Sequence, residues 1–472
     1  MTKKKRITAL ILALLSAALL SACSYGVPEQ TETDTEAVSS PETEGHTDPV
    51  KVHTYDPDNV VRSKAYLEEA PGGDLDGMDV FFSGPYVGTL SPDGATYISK
   101  EISERNRAVE EKLNVKLDFS AVEVSDMIAD AASSVASGMY YTDVMLIPVS
   151  TVGTFYASGC LFNLESLPYF DLSVPYFNQR SVSAMSAGRY CLGFLSDAYP
   201  VLRETPALFY NRAIEGDDPG SLERAAKDGT LTWDTVLEKA EANLSLLGEG
   251  AFPVSVGNPT ATFPQTVYLT GSGRIISTAA DRPAVSIDPA VLAAASAVTG
   301  RISKSAPAKD EGAELFKNGK VAYRIEYVKN AATLNGETTE FGVVPLPKMT
   351  DADEYRAFVS PYCSVFTVIA GTKNSEEISL VLTSLSAASY GVIPEHYVDE
   401  VIVTSMRDDR SGDMLDLITK SAEFDLSISL SGISSAVGDA TLQYISGAAN
   451  GAGGDYEALA AAVNAFLADL FG

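Results

Sequence analysis

The sequence predicts an α/β protein of two lobes, each a mainly parallel sheet flanked by helices, joined by a hinge. Three observations carry this. Residues 79–148 alternate in the order strand, helix, strand, helix, strand, the pattern of a parallel sheet. The chain beyond residue 74 runs to about 400 residues, more than one core ordinarily serves. Hydrophobic residues make up 45% of the 472, ample for cores of that size.

The elements follow in order. Asp79-Val80-Phe81-Phe82-Ser83-Gly84 reads as a strand closing in a Gly-Pro turn, and residues 97–113 as a helix. Val115-Lys116-Leu117-Asp118-Phe119 alternates as a second strand, residues 124–137 form a helix, and Asp143-Val144-Met145-Leu146-Ile147-Pro148 is a short apolar strand of the fully buried kind. A helix starts near Thr151 and stops at Ser158-Gly159. Further on, Thr232 is read as an N-cap, and Trp233, the only Trp, as a packing residue at the start of a helix. Pro345 and Pro347 fix an extended segment leaving a lobe. Residues 290–297 and 456–471 carry helical apolar spacing.

The N-terminus is of another kind. Lys3, Lys4, Lys5 and Arg6 precede an apolar run over residues 7–20, too short and wrongly flanked for a spanning helix. The run closes in Leu20-Ser21-Ala22-Cys23, which resembles the lipobox of bacterial lipoproteins. That resemblance implies a signal peptide over residues 1–22 and lipidation of Cys23, with two or three acyl chains at about 0.8 kcal/mol per buried methylene holding the protein to a membrane surface. Residues 24–49 hold seven acids and no Lys or Arg, with many Thr, Ser and Pro, a composition that cannot bury enough apolar surface to fold. Residues 23–74 are assigned to this acidic linker, a flexible tether of roughly 50 residues with an r.m.s. span of about 40 Å. His46 and His53 fall in it as solvated residues, not metal ligands.

Composition excludes several classes. The chain carries 63 Asp and Glu against 34 Lys and Arg, a net charge of −29 that repels nucleic-acid backbones and anionic lipid headgroups. Cys160, Cys191 and Cys363 remain once Cys23 is set aside, an odd number at scattered spacing, read as buried thiols with at most one bridge among them. No metal site or cofactor is expected. For an enzyme the supply of chemistry is thin: past the tether there is one histidine, His396, read as a surface or packing residue. No G-x-S-x-G, H-E-x-x-H, C-x-x-C or phosphate-loop motif occurs. The acid pairs Asp217-Asp218 and Asp408-Asp409 read as solvated loop charges. A glycoside hydrolase could use two distant carboxylates and leave no local motif, but the balance of residues favours a protein without catalysis.

A run of weak motifs in one order then carries a resemblance. Asp143-Val144-Met145 through Gly159-Cys160-Leu161-Phe162-Asn163-Leu164, Glu204-Thr205-Pro206-Ala207-Leu208-Phe209-Tyr210-Asn211-Arg212, Leu231-Thr232-Trp233-Asp234, Phe316-Lys317-Asn318-Gly319-Lys320 and Phe341-Gly342-Val343-Val344-Pro345-Leu346-Pro347-Lys348 succeed one another. Arg407-Asp408, Met414-Leu415-Asp416 and Phe424-Asp425-Leu426 follow near the end. Together they resemble the extracellular solute-binding proteins of ABC importers, of the family 1, sugar-binding-like type. The resemblance implies a type II periplasmic-binding-protein-like fold, with the first lobe from residues 75–204 and 355–392 and the second from 205–354 and 393–472. It implies a hinge near residues 204–209 and 355–360, and closure on a solute in place of chemistry.

The candidate site follows from both arguments. Ligands of open α/β sheets lie outside the carboxyl ends of the strands, which places Ser83 and Tyr86 after the first strand, and Ser150 and Thr151 after the third, at such a rim. Sugars present C–H faces to aromatic rings and hydroxyls to polar side chains, and Tyr86, Tyr327 and Tyr362 fall at strand ends or lobe crossings. The resemblance adds Glu204 on the crossover and Arg324, Glu326 and Tyr327 at the end of a strand facing the cleft. The expected ligand is a carbohydrate, an oligosaccharide by preference. A peptide or other small solute is the alternative, and a third reading is a surface lipoprotein that adheres or senses without transport. The expected partners are the solute, the transmembrane permease of an importer and, through the lipid, the outer face of a Gram-positive-type cell membrane, with the protein itself a monomer.

Overall fold

The computed structural model describes residues 57–92, 98–280, 282–308, 311–336, 339–406, 408, 410–433, 438–449 and 454–471. The signal segment, Cys23, His46, His53, Arg407 and Asp409 lie outside the described residues. The first described element corrects the expected linker: it does not run to residue 74, because α1 (Pro57–Glu69) is a helix. Pro57 stands at its first position, where a missing N–H is harmless. Tyr66 and Leu67 pack against the core, with the Tyr66 ring 5.2 Å from Tyr390 and 5.6 Å from Tyr176. Lys112 Nζ donates to the carbonyls of Leu67 and, at 2.7 Å, of Ala70, closing the helix's last turn.

Three strands and two helices then appear where the sequence places them: β1 (Met78–Gly84), α2 (Ser99–Leu113), β2 (Val115–Ala121), α3 (Val124–Ser137) and β3 (Val144–Pro148). β1 pairs in parallel with β2 from Met78↔Val115 to Gly84↔Ala121, and with β3 at Phe82↔Val144. Gly84 is required by close approach, since a Cβ there would stand 2.0 Å from the Leu146 carbonyl oxygen. α4 (Val152–Ala157) and α5 (Gln179–Met185), the latter capped by Asn178, complete this part of the first lobe.

The chain crosses at residues 204–206 into β4 (Pro206–Asn211), which heads the second sheet. α6 (Trp233–Asn243) opens on a capping box between Thr232 and Thr235. Trp233 is buried, its Nε1 donating to Thr270 Oγ1 at 2.9 Å, so it packs as expected. β5 (Phe252–Val256), α7 (Phe263–Leu269), α8 (Pro289–Ser305), α9 (Gly312–Lys317), β6 (Val321–Tyr327) and β7 (Phe341–Val344) follow. The strand order is β7-β4-β6-β5. β6 lies parallel to β5, while β4 runs against both its neighbours, so three of the four strands share a direction and the crossover strand opposes them.

β8 (Ala357–Phe358) begins the return, and β9 (Ser364–Val368) joins the first sheet antiparallel to β3, giving the order β9-β3-β1-β2. α10 (Ser375–Ser389) is buried on nearly every side, packed between α1 and α2. α11 (Val392–Val401), α12 (Ser411–Ser421), β10 (Ala422–Glu423), α13 (Leu426–Ser429), α14 (Gly438–Ala449) and α15 (Tyr456–Phe471) close the chain. Residues 393–472, expected wholly in the second lobe, touch both. α11 packs on α1, α2 and α10 as well as on α12, and α13 on residues 149–151. Among the described residues no single helix is long and apolar enough to cross a membrane.

Three crossover segments lie side by side at the hinge. Val328 N donates to Thr205 O at 3.2 Å, Ser360 N to Glu204 O at 2.8 Å and Val359 N to Glu423 O at 3.2 Å. β8 pairs in parallel with β10. Beside them the buried Glu423 carboxylate gathers three guanidinium groups: Arg274 Nη1 at 3.0 Å from the second lobe, Arg180 Nη1 at 3.6 Å from α5 of the first, and Arg356 Nε at 3.8 Å from the crossover itself. Removing one partner of a buried ion pair leaves the others uncompensated. Glu423→Gln is therefore expected to lower stability by on the order of 3 kcal/mol, read as a lower urea midpoint, while Glu354→Gln, an exposed partner of the same arginines, changes it by less than about 1 kcal/mol.

Candidate solute-binding site at the crossover

The rim of the first sheet is built by backbone pairing. Val149 N donates to Cys363 O at 2.8 Å and Ser150 N to Pro361 O at 3.2 Å, which brings the end of β3 and the approach to β9 together. Tyr86 follows β1 at the same edge. Two aromatic side chains stand open there, Tyr86 at 40% and Tyr362 at 58% exposure. Burial, then the Glu204 carboxylate, then Tyr362, raises the Tyr86 phenol above its ordinary value, so the three groups share one neighbourhood.

Glu204 sits at the centre of that neighbourhood. Its carboxylate is buried, accepting from Lys329 Nζ at 3.0 and 2.8 Å and from Tyr199 Oη at 3.3 Å. Lys329 follows β6, and its ammonium lies 5.8 Å from the Tyr327 ring centroid, a cation–π approach. The Tyr327 phenol is itself buried, held by hydrogen bonds to Thr262 and Ser360. Arg203, one residue before Glu204, lies 5.9 Å from the Tyr397 ring. A hollow of about 150 Å³ opens beside it, lined by Gly88, Thr89, Pro92, Ile98, Ile102, Pro200, Arg203, Tyr397 and Glu400.

The structure thus brings together Tyr86, Tyr362, Glu204 and Tyr327, with Ser150 half-buried at the same rim. It separates the rest. Ser83 is buried, and its hydroxyl is spent on Thr142 Oγ1 at 3.0 Å on one face of the sheet. Thr151 Oγ1 donates to Pro148 O at 2.7 Å and closes its own turn. Arg324 and Glu326 form a buried ion pair at 2.8 Å. Glu326 also accepts from Asn258 N and Asn330 Nδ2, and Arg324 Nη1 reaches Ser255 Oγ. Two residues apart on one strand, they share a face and hold β6 to the chain beyond β5, so the expectation that they line the site is corrected.

Lys329, Arg203 and Tyr199 are the residues that reading by sequence did not reach. One signal was available, since Lys329 stands where the chain leaves a strand already placed at the cleft. The expected solvated acid pairs divide likewise. Asp218 meets Arg224 at the surface, whereas Asp408 pairs with the half-buried Arg212 and accepts from Arg410 N and Ser411 N at the start of α12. His396 packs, with Nε2 3.3 Å from Glu101. The three described cysteines are free and buried. Burial, then Glu204, pushes the Cys363 thiol well above its ordinary range, with Lys329 opposing.

No family model matches the sequence, and comparison with curated proteins returns no match. Solved structures do match. A cyclic α-maltosyl-1,6-maltose binding protein from Arthrobacter globiformis superposes with a TM-score of 0.57 at 17% identity, covering 83% of this chain and 100% of its own. The chain shares this two-lobed periplasmic-binding-protein fold. The GacH receptor of Streptomyces glaucescens, solved unliganded and with acarbose, matches at a TM-score of 0.49 and 15% identity over 84% of this chain and 98% of that one. Maltose-bound MalE3 of T. maritima matches at 0.48 and 14%, over 84% and 100%. At these identities the likeness concerns the fold, and it is the Arthrobacter protein that carries it.

The corrected geometry gives a direct contrast. Glu326→Ala leaves Arg324 buried without its carboxylate, and is expected to lower stability by on the order of 3 kcal/mol without altering solute affinity. Tyr86→Ala, at an exposed rim position, is expected to do the reverse. Urea unfolding and calorimetric titration of the two variants side by side check both halves.

Proposed function

We propose that this chain is the solute-binding lipoprotein of an ABC importer, capturing a carbohydrate between its lobes and presenting it to a membrane permease. The observation that carries the reading is the pair of open tyrosines, Tyr86 and Tyr362, beside the buried Glu204 at the crossover of a two-lobed fold. Aromatic faces next to directed polar groups suit a saccharide, whose C–H faces stack and whose hydroxyls bond. The likeness of fold to a protein that binds a cyclic maltosyl-maltose supports the same solute class.

In this reading, the mechanism is closure, not chemistry. A solute that touches both lobes favours the closed arrangement by the difference in its affinity for the two states, and rotation occurs about the three hydrogen-bonded crossover segments. Cys23 carries the lipid, and the protein stands as a monomer on the outer face of a Gram-positive-type cytoplasmic membrane. The sequence Leu20-Ser21-Ala22-Cys23 and the basic residues before the apolar run support the anchor.

Thermal unfolding of the detergent-solubilised full chain against mono- and oligosaccharides, peptides and amino acids tests the solute. A ligand at 100 times its Kd adds about 2.7 kcal/mol, a rise of a few degrees in Tm. A rise confined to related glycans is expected; a rise with peptides alone, or none at all, overturns the carbohydrate reading. Cys23→Ser is expected to release the protein from membranes into the soluble fraction, and continued membrane association would remove the anchor.

A further inference from the structure

Two arms of chain carry the candidate site in the first lobe, and one buried cation holds both. The first arm leaves β1 at Tyr86 and tightens at once into a 3-10 turn, Val87–Thr89. The Tyr86 carbonyl accepts from Thr89 N at 3.1 Å and from Thr89 Oγ1 at 2.8 Å, and Leu90 N donates to Val87 O at 2.8 Å. The second arm runs through Ala198 to Tyr199, whose hydroxyl donates to Glu204 Oε1 at 3.3 Å. The hollow of about 150 Å³ described above lies between them, with Gly88 and Thr89 on one side and Pro200 and Arg203 on the other. Arg105, on α2, is 4% exposed. Its Nη2 donates to Leu90 O at 3.2 Å on the first arm. Its Nη1 donates to Ala198 O at 3.3 Å on the second, and to Ser389 Oγ at 3.1 Å at the end of α10. Nε donates to Asn106 Oδ1 at 2.9 Å, and Asn106 Nδ2 donates in turn to the same Leu90 carbonyl at 2.9 Å.

We infer that Arg105 is a positioning residue of the solute site: it does not touch the solute, and it fixes the distance between the arm that carries Tyr86 and the arm that carries Glu204. The inference rests on the site proposed above and goes beyond it. A guanidinium suits the task, since its planar fork directs five N–H donors at fixed angles, whereas an ammonium is a point charge on a flexible stem. Burial, opposed by no neighbouring carboxylate, pulls its pKa down to about 9. The charge is answered by neutral oxygens from three elements in place of one counter-ion. A single carboxylate would satisfy the cation locally and leave the arms free of each other. With carbonyl partners, withdrawal of either arm strands a buried donor of a charged group, a costly state. The two arms are thereby tied to α2 and to one another. Asn106 reinforces the first arm alone, since its amide reaches Leu90 and not Ala198.

Two measurements on the detergent-solubilised full chain test this: calorimetric titration with maltose, maltotriose and the rest of the saccharide panel, and deuterium exchange by mass spectrometry without ligand. Arg105→Lys keeps the charge and loses the fork, and is expected to weaken the affinity of the folded protein at least about tenfold. Its amide exchange is expected to rise at residues 87–91 and 198–205 and to stay unchanged over β5 in the second lobe. Asn106→Ala removes half of the Leu90 contact and is the milder variant should Arg105→Lys fail to fold. Its loss of affinity, on the order of threefold, is expected to vanish when Tyr86 is already alanine, the non-additivity of residues that act through one another. Lys112→Met frees the Leu67 and Ala70 carbonyls on the same helix and is the structural control, expected to lower stability and keep affinity. Unchanged affinity in folded Arg105→Lys and Asn106→Ala, a loss from Asn106→Ala that persists beside Tyr86→Ala, or exchange that rises evenly through both lobes overturns the inference and leaves the carbohydrate reading standing. Silence from every saccharide in the unaltered protein overturns the carbohydrate reading, and the exchange pattern then decides by itself whether Arg105 holds the two arms.

Discussion

The molecule depends on one buried carboxylate. Two sheets stand one on each side of a crossover, and where the backbone strips pass between them the charges converge on Glu423. Its oxygens draw Arg180 from the first lobe, Arg274 from the second and Arg356 from the strip between them. A buried ion pair is a weak source of net stability, because desolvation of the charges offsets most of their attraction. Its use is geometric, since three cations that share one counter-charge cannot be rearranged independently. The Ser360-to-Glu204 and Val359-to-Glu423 backbone bonds then set the strips in one register. The position of every cleft residue follows, because Glu204 and Ser360 are members of those strips.

Where the backbone periodicity was local, the sequence was sufficient. β1 through β3 alternate or run apolar for their full length and are punctuated by Gly-Pro and by Asn114 and Gly138, which end their helices in the left-handed region. The second sheet was harder. β4 opposes both its neighbours because it enters from the crossover, and that direction is decided by the other lobe, not by its own residues. α1 was missed for a different reason. Composition places it with the acidic tract before it, and only Tyr66 and Leu67, apolar residues whose partners lie over a hundred and several hundred positions away, distinguish it. Gly391 shows the same long-range fit: its φ of 70° and the closeness of Asn59, 2.5 Å from where a Cβ would lie, both belong to the docking of α1.

Of the expected site residues, the structure sets Tyr86 and Tyr362 beside Glu204 and puts Arg324 and Glu326 elsewhere. Tyr86 and Tyr362 stand at strand ends, and strand ends can be read from pattern. Arg324 and Glu326 lie on the same strand as Tyr327 and look equivalent to it in sequence. The two-residue period of a strand puts them on the opposite face, where they satisfy one another. Lys329 carries only the weak signal of its place just after a strand. A lone lysine after a strand is ordinarily a solvated residue, and it becomes part of the cleft because Val328 N bonds Thr205 O and lays the chain along the crossover beside Glu204.

The charged groups near the hinge therefore divide by what their exposure permits. Glu326 is closed in with Arg324, at 4% and 7% exposure. Glu423 and Glu204 are equally buried, but their cations reach the surface, Arg180 and Arg274 at 33% and 37% and Lys329 at 28%. In both half-open pairs the inner member fixes where the charge stands, and the long cationic side chain is held in place before any third group arrives. The single Trp of this chain is spent elsewhere. With Trp233 committed to Thr270 in the second lobe, the rings beside the crossover are tyrosines, and the Tyr199 hydroxyl joins the polar network around Glu204.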